Sequence, residues 1–462
     1  GAGANKTLLF HDRHLTTMYE IILGRSHRAR EKYGLRGTIY LGKHYIKMGE
    51  RLSLANDVHM DIGGPHVVLV SGKRGSGKSY TLGVIAEGLV GLQEDVSKNL
   101  ACLIFDTMGL YWTMRYPNYR DDKLLSDWEL KPKKLEPVVF VPKGLARDYE
   151  VRGVKFEEIF ALKPMDVGSE NWANIFELKL NSEEGLLLER AINALKDAEF
   201  GIDDITTTIM TDKGASKHAQ SILLNRFAAA KEWGIFDKEG TQLSKLFVGG
   251  QTSVLDLSAY TQIERGAQIK ALVIGLLCDK MLKTRLLARK EEEAKLIEGG
   301  AYLTEKETFA GEKSPLIWIL IDEAHEFIPN DKETLASRPL IQILREGRQP
   351  GLTLVLATQQ PGSIAADALT QADIVLSHRL TAKIDIDALG DVMQTYLPHE
   401  LRTYIRQLPS IKGGAVVLDD KLERIYPLQI RPRTSWHGGS EPTALTKDII
   451  KEVEADEKLK KF

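Results

Sequence analysis

An apolar run, HVVLVSG, leads directly into Gly72-Lys73-Arg74-Gly75-Ser76-Gly77-Lys78-Ser79, and a helix-spaced stretch, SYTLGVIAEGLVGL, follows it. The segment fits GxxxxGK[ST] at every fixed position. A short motif can arise by chance, but its setting between a buried strand and a helix is what the chemistry demands. Glycines let backbone N–H groups wrap phosphate oxygens, and the positive end of the helix adds to the attraction. Residues 72–80, with Tyr80 as the last, are the candidate cradle for ATP. Lys78 is placed to reach the β- and γ-phosphates, and Ser79 to ligate Mg²⁺.

Farther along, Leu316-Ile317-Trp318-Ile319-Leu320-Ile321 is an apolar strand that ends in two acids, Asp322 and Glu323. Adjacent carboxylates at the tip of a buried strand are costly unless a cation or ligand compensates them. Asp322 is the candidate second ligand for Mg²⁺, and Glu323 the candidate base for the attacking water. The next apolar run, LTLVLA, ends in Thr358-Gln359-Gln360. Either glutamine is a candidate sensor of the γ-phosphate. Between these strands lies Arg345-Glu346-Gly347-Arg348, with no acid pattern that pairs both arginines within one helix. One of these arginines is a candidate arginine finger for a neighbouring subunit's site.

Apolar strands alternate with helix-spaced stretches: ACLIFD, PVVFVP, SVLDLS, DIVLSHRL and GAVVLDD are further strands. This alternation predicts an α/β fold with an open, mostly parallel sheet of the RecA-like P-loop type. The expected organisation is a short β/helical N-terminal segment at 1–60, the core in two parts at 61–180 and 251–440, a helical insertion at 181–250 and a helical tail at 441–462. Residues 1–37 read as helical and charged, and a long helix is expected from about Ile263 to Ile297. Cys102 and Cys278 sit in apolar runs and are expected to be buried thiols, which suits a reducing compartment. There is no CxxC pair, no apolar run of membrane-spanning length and no signal-peptide pattern, so a cytoplasmic protein is expected. The net charge of −2 excludes a broadly basic nucleic-acid binder but not basic residues gathered in a channel.

The motifs in their order resemble the HerA branch of the HerA/FtsK superfamily. The resemblance is carried by HVVLVSGKRGSGKSYTLGVI, LIFDTMGLYW, SVLDLSAYTQIERGAQIKALVIGLLCDKML, WILIDEAHEFIP, REGRQPGLTLVLATQQPGSI and DIVLSHRLTAKID, with LPSIKGGAVVLDD and PLQIRPRTSWHGG near the end. It covers roughly residues 40–440. It implies a homo-hexameric ring with ATP between neighbours, double-stranded DNA in the pore and a nuclease or other effector as partner, and it puts Arg348 first as the trans arginine finger, with Arg345 and Arg379 behind it. Two departures matter. Leu110 stands where the family often has an acid, in Asp106-Thr107-Met108-Gly109-Leu110-Tyr111. The stretch before the P-loop strand is also shorter than the family's N-terminal β-barrel, so the barrel is expected to be reduced or missing. A regulatory ATPase ring that gates a bound effector in antiphage defence is the alternative reading. The string DEAH also invites a two-domain helicase, but there the arginine motif lies far downstream, whereas here it follows closely.

Candidate DNA contacts are Arg115 and Arg120 in TMRYPNYRDDK, and Lys213 and Lys217 in TDKGASKH. Asp256 reads as a strand-end cap, and His325 as a packed helix residue or a group that orients Glu323. His11-Asp12-Arg13-His14 reads as a polar segment, and the stripe Ile449, Ile450, Val453 and Leu459 as a surface or bracing helix.

Overall fold

A computed structural model describes residues 20–48, 51–298, 314–392, 404–405, 408 and 412–439. The histidine pair near residue 11 and the tail stripe fall outside these. One sheet of thirteen strands organises the described residues. The strands are β1 (Ile21–Leu23), β2 (Thr38–Met48), β3 (Arg51–Asp61), β4 (Val67–Ser71), β5 (Leu100–Asp106), β6 (Val138–Pro142), β7 (Glu158–Phe160), β8 (Thr252–Asp256), β9 (Leu316–Ile321), β10 (Leu352–Thr358), β11 (Ile374–His378), β12 (Gly414–Asp419) and β13 (Arg424–Ile430). Their order is β1-β3-β2-β13-β12-β11-β4-β10-β9-β5-β8-β6-β7. From β11 to β7 every pairing is parallel; β12, β13, β2 and β3 continue the sheet antiparallel, and β1 joins β3 parallel.

The central strands read as unbroken apolar text because both faces of a parallel sheet are covered. Alternate residues go to opposite sides. Leu103, Phe105, Ile319, Ile321, Leu354 and Leu356 join one buried cluster with the long helix Gly266–Glu298. Cys102, Ile104, Trp318, Leu320, Val355 and Ala357 join another with the helix Lys78–Val90, which follows the P-loop. Both cysteines are buried, as expected.

Between β7 and β8 lie helices Ser169–Phe176, Glu183–Leu195, Ile202–Thr211 and Lys217–Glu232. Two of them start on serines whose hydroxyls accept a backbone N–H three residues on, Ser182 from Gly185 at 3.2 Å and Ser216 from Ala219 at 3.1 Å. They enclose an aromatic knot in which Phe227 stands edge-on to Trp172 and Phe176, each at 5.0 Å. The N-terminal stretch differs from the helical expectation. Its described part holds β1 and only one helix, His27–Tyr33, and β2 and β3 form a long antiparallel hairpin on the sheet edge.

Candidate functional site

The sheet order places β10 between β4 and β9. The P-loop, the two acids and the two glutamines therefore leave three neighbouring strands at one carboxyl edge, where α/β sheets bind ligands. Lys73 N donates to Arg379 O at 3.1 Å, and Ser76 closes the turn by donating from N (3.1 Å) and Oγ (2.7 Å) to Lys73 O. Gly75 and Gly77 have φ of +75° and +115°, which only glycine adopts cheaply. A side chain at Gly72 would run into Ser76 Oγ and His378 Cβ. Lys73 and Arg74 are exposed on the loop.

Lys78 is 5% exposed. Burial pushes its pKa down, while Glu323 and then Asp322 hold it up, so ammonium and acids share one site. Asp322 is also buried; burial pushes its carboxyl up, and a hydrogen bond with the Ser79 hydroxyl pulls it down. A hydroxyl beside a carboxylate is the oxygen donor set a hard dication with waters prefers. Ser71 Oγ, Thr107 Oγ1 and Glu323 Oε2, at the tips of β4, β5 and β9, are buried without hydrogen-bond partners among the described residues. Orphaned polar atoms normally find water or a ligand, so the residues present fit ATP and Mg²⁺.

Glu323 sits in the left-handed region at φ +52°. Its N–H donates to Asp322 Oδ1 at 2.9 Å, and its Oε1 accepts a short hydrogen bond from Gln359 Nε2. Its Oε2 lies 3.5 Å from His325 Nδ1, which is in turn 3.3 Å from Thr358 Oγ1. Gln359 thus touches the candidate base. Gln360 instead points outward into a cavity of about 590 Å³ lined also by His325, Lys270 and Glu326.

Several candidates are placed otherwise than the sequence suggests. Arg345 is held in a two-pronged pair by Asp367, at 2.6 and 3.1 Å, a partner from a different helix that the local sequence does not reveal. Arg348 is exposed and has no partner among the described residues. Both arginines precede β10 and so lie at the opposite edge of their own sheet from Gln359, about 20 Å away at the rise of a strand. Arg379 directly follows β11, on the nucleotide edge. Tyr80 turns away from the cradle. Its hydroxyl accepts from Arg433 N at 2.5 Å, and its ring meets His437 edge-on at 5.3 Å. Arg115 is not a free cation either, because it pairs with Glu157 at 2.9 Å. Arg120, Lys213 and Lys217 are exposed and unpaired among the described residues.

Asp256 accepts from Ser258 N at 2.9 Å and Tyr149 Oη at 3.0 Å, as a strand-end cap does. Its neighbour Asp106 accepts N–H groups from Met108 (3.2 Å), Gly109 (2.7 Å) and Tyr111 (2.8 Å), which shapes the turn containing Leu110. Sequence reasoning missed two features. His378 is fully buried beneath the P-loop, with Nε2 2.8 Å from Thr81 Oγ1 and Nδ1 3.0 Å from Gly414 O. Burial pushes its pKa down to about 4, so the ring is neutral; Nδ1 then donates to the carbonyl and Nε2 accepts from the hydroxyl. Glu87, on the P-loop helix, takes Arg431 at 2.9 Å and Arg433 at 3.1 Å, plus N–H and hydroxyl donors from Thr434 and Ser435. A histidine inside the apolar run DIVLSHRL was the one visible hint of the first.

Residues 57–277 match the family model described as the central domain of helicase HerA. The chain is 25% identical over 393 residues to the DNA double-strand break repair helicase HerA of Pyrococcus furiosus, covering 79% of this chain and 67% of that one. It is 23% identical over 394 residues to the protein of the same name from Saccharolobus solfataricus, covering 84% and 68%. Among solved structures, VirB4 of Thermoanaerobacter pseudethanolicus shares the fold, with a TM-score of 0.52 at 12% identity over 86% of this chain and 96% of that one. The motif order, the P-loop sheet and these relatives agree, so the chain is a P-loop ATPase whose residues 57–277 match the central domain of helicase HerA and which is similar over most of its length to the HerA helicases.

Proposed function

We propose that this protein is a cytoplasmic, ATP-hydrolysing homo-hexameric ring that moves double-stranded DNA, working with a nuclease in DNA end processing or defence. The observation that carries the ATPase part is the convergence of Lys78, Ser79–Asp322 and Glu323–Gln359 at one sheet edge. The 73–79 amides and Lys78 hold the phosphates, and Ser79 and Asp322 hold Mg²⁺. When bound, Mg²⁺ neutralises developing phosphate charge. Glu323 orients a water and takes its proton. Gln359 holds the base before the γ-phosphate arrives. The duplex part rests on the names of the relatives and on exposed Arg120, Lys213 and Lys217. No helix among the described residues is long and apolar enough to cross a membrane.

Steady-state ATPase against duplexes of increasing length, at two salt concentrations, tests the motor reading. Hydrolysis should rise with length until the DNA spans the ring, and binding should weaken steeply with salt as neutralised phosphates release counterions. Replacing Arg120, Lys213 and Lys217 together by alanine should weaken binding to all sequences alike and flatten the salt slope. No binding and no stimulation at low salt, with the ring intact, would sink it. The effector-gating ring would then account for the same site. That alternative is favoured by the Arg115–Glu157 pair and the near-neutral net charge.

Arg348 is assigned as the trans finger. Mixing inactive Arg348→Ala subunits into wild-type rings should depress activity more steeply than simple dilution. A linear decline would remove Arg348 from the shared site. Arg345→Ala should act more weakly, because that side chain already has Asp367 as its partner.

A further inference from the structure

The acids fix which way a nucleotide lies across the cradle. Ser79–Asp322 and Glu323 are on the β9 side of β4, so the terminal phosphate faces β10 and β9. The α-phosphate and ribose then run towards the other flank, over the tips of β11 and β12. β12 is antiparallel to β11, so it begins at this same edge, with His378 opposite Ala415. The turn that starts it is Lys412-Gly413-Gly414.

This turn packs on the P-loop. A Cβ on Gly77 would lie 3.7 Å from Gly413 N and 3.8 Å from its Cα. Gly413 has φ +88°, so the tight approach uses a conformation only glycine adopts cheaply. The turn is also fixed from behind. Gln429 Nε2 donates to Lys412 O at 2.8 Å, and Tyr45 Oη donates to Gln429 Oε1 at 2.7 Å. His378 ties Gly414 O to Thr81 on the P-loop helix. The Lys412 side chain is exposed and has no partner among the described residues. Its charge is felt, after burial, Arg433 and Glu87, by His437, whose ring meets that of Tyr80, one residue beyond Ser79. An unpaired cation on a rigid turn, next to a phosphate cradle, is placed to grip an anion.

We propose that Lys412 is a further nucleotide-binding residue whose ammonium contacts the α-phosphate end of ATP and ADP. This rests on the reading of residues 72–79 as the ATP site. Because the contact is to the part that ATP and ADP share, it acts on binding and leaves the chemical step alone.

The test uses the full chain, with N-methylanthraniloyl-ADP as binding probe and steady-state ATP hydrolysis as the second readout. Lys412→Ala should weaken the probe and raise the KM for ATP in parallel, each by about tenfold. Lys412→Glu should weaken both further, Lys412→Arg should restore both to near wild type, and kcat should stay the same. Unchanged probe affinity and KM in Lys412→Ala would overturn the assignment, as would a loss of kcat at constant KM. Lys78→Ala runs alongside. If it abolishes probe binding while Lys412→Ala does nothing, only the Lys412 assignment falls. If Lys78→Ala itself leaves binding intact, the reading of the P-loop falls with it.

Discussion

Glu323→Gln should bind ATP as tightly as the parent and hydrolyse it about 10²–10⁴ times more slowly, the range a general base contributes. The geometry separates the two roles. Lys78 is buried beside the acids and is the side chain proposed to hold phosphate. Glu323 is held by Gln359 on one oxygen, and its other oxygen is buried with no hydrogen-bond partner among the described residues, 3.5 Å from His325 Nδ1. The amide replacement keeps the shape and removes the proton acceptor. ATP-binding titrations and single-turnover hydrolysis on the same preparation distinguish the outcomes. Hydrolysis at near the parent rate would mean that another group activates the water.

The second large effect is on stability. Glu87 is buried on the P-loop helix and is the common partner of Arg431 and Arg433, which are 6% and 0% exposed. Gly83 permits this approach, since a Cβ there would lie 2.5 Å from Arg433 Nη1. Removing one partner of a buried pair leaves charge stranded, so Glu87→Gln should lower unfolding free energy by about 3–5 kcal/mol at neutral pH. Burial alone would raise the Glu87 pKa, but Arg433, Arg431 and Ser435 bring it down to about 2. The folded value is depressed, so the stabilisation is fully present above the ordinary carboxylate range. It is lost as pH falls from about 4.5 towards 2, with a total of about 3 kcal/mol. Urea midpoints for parent and variant should therefore converge as pH drops through that window. A gap that stays constant from pH 7 to pH 3 would count against the charge as its cause.

The parts of the site legible in the sequence are those written in one stretch of chain. The P-loop needs a strand, a glycine turn and a helix start, and all three are contiguous. The acids at 322–323 and the glutamines at 359–360 each end an apolar strand, and parallel strands bring their ends to one edge. What stayed hidden depends on distant partners. Arg345 finds Asp367 on another helix, Arg115 finds Glu157 beyond β6, and Tyr80 finds Arg433 across most of the chain. His378 looked like one more residue of a strand, because only the sheet order reveals the P-loop beside it. The choice between Gln359 and Gln360 needed the strand's end geometry, which alternation alone does not supply.

The hairpin of β2 and β3 pairs with β13, so Tyr45 meets Gln429 across 384 residues. A ribosome adding about 5–20 residues per second needs roughly 20–80 s to cross that interval. For that time the hairpin presents an open strand edge with no neighbour, the kind of surface that recruits other chains. The P-loop helix waits as well, since Arg431 and Arg433 emerge more than 340 residues after Glu87. Completion of this sheet thus waits for β12 and β13, and the yield of folded protein should respond to chaperone supply and growth temperature.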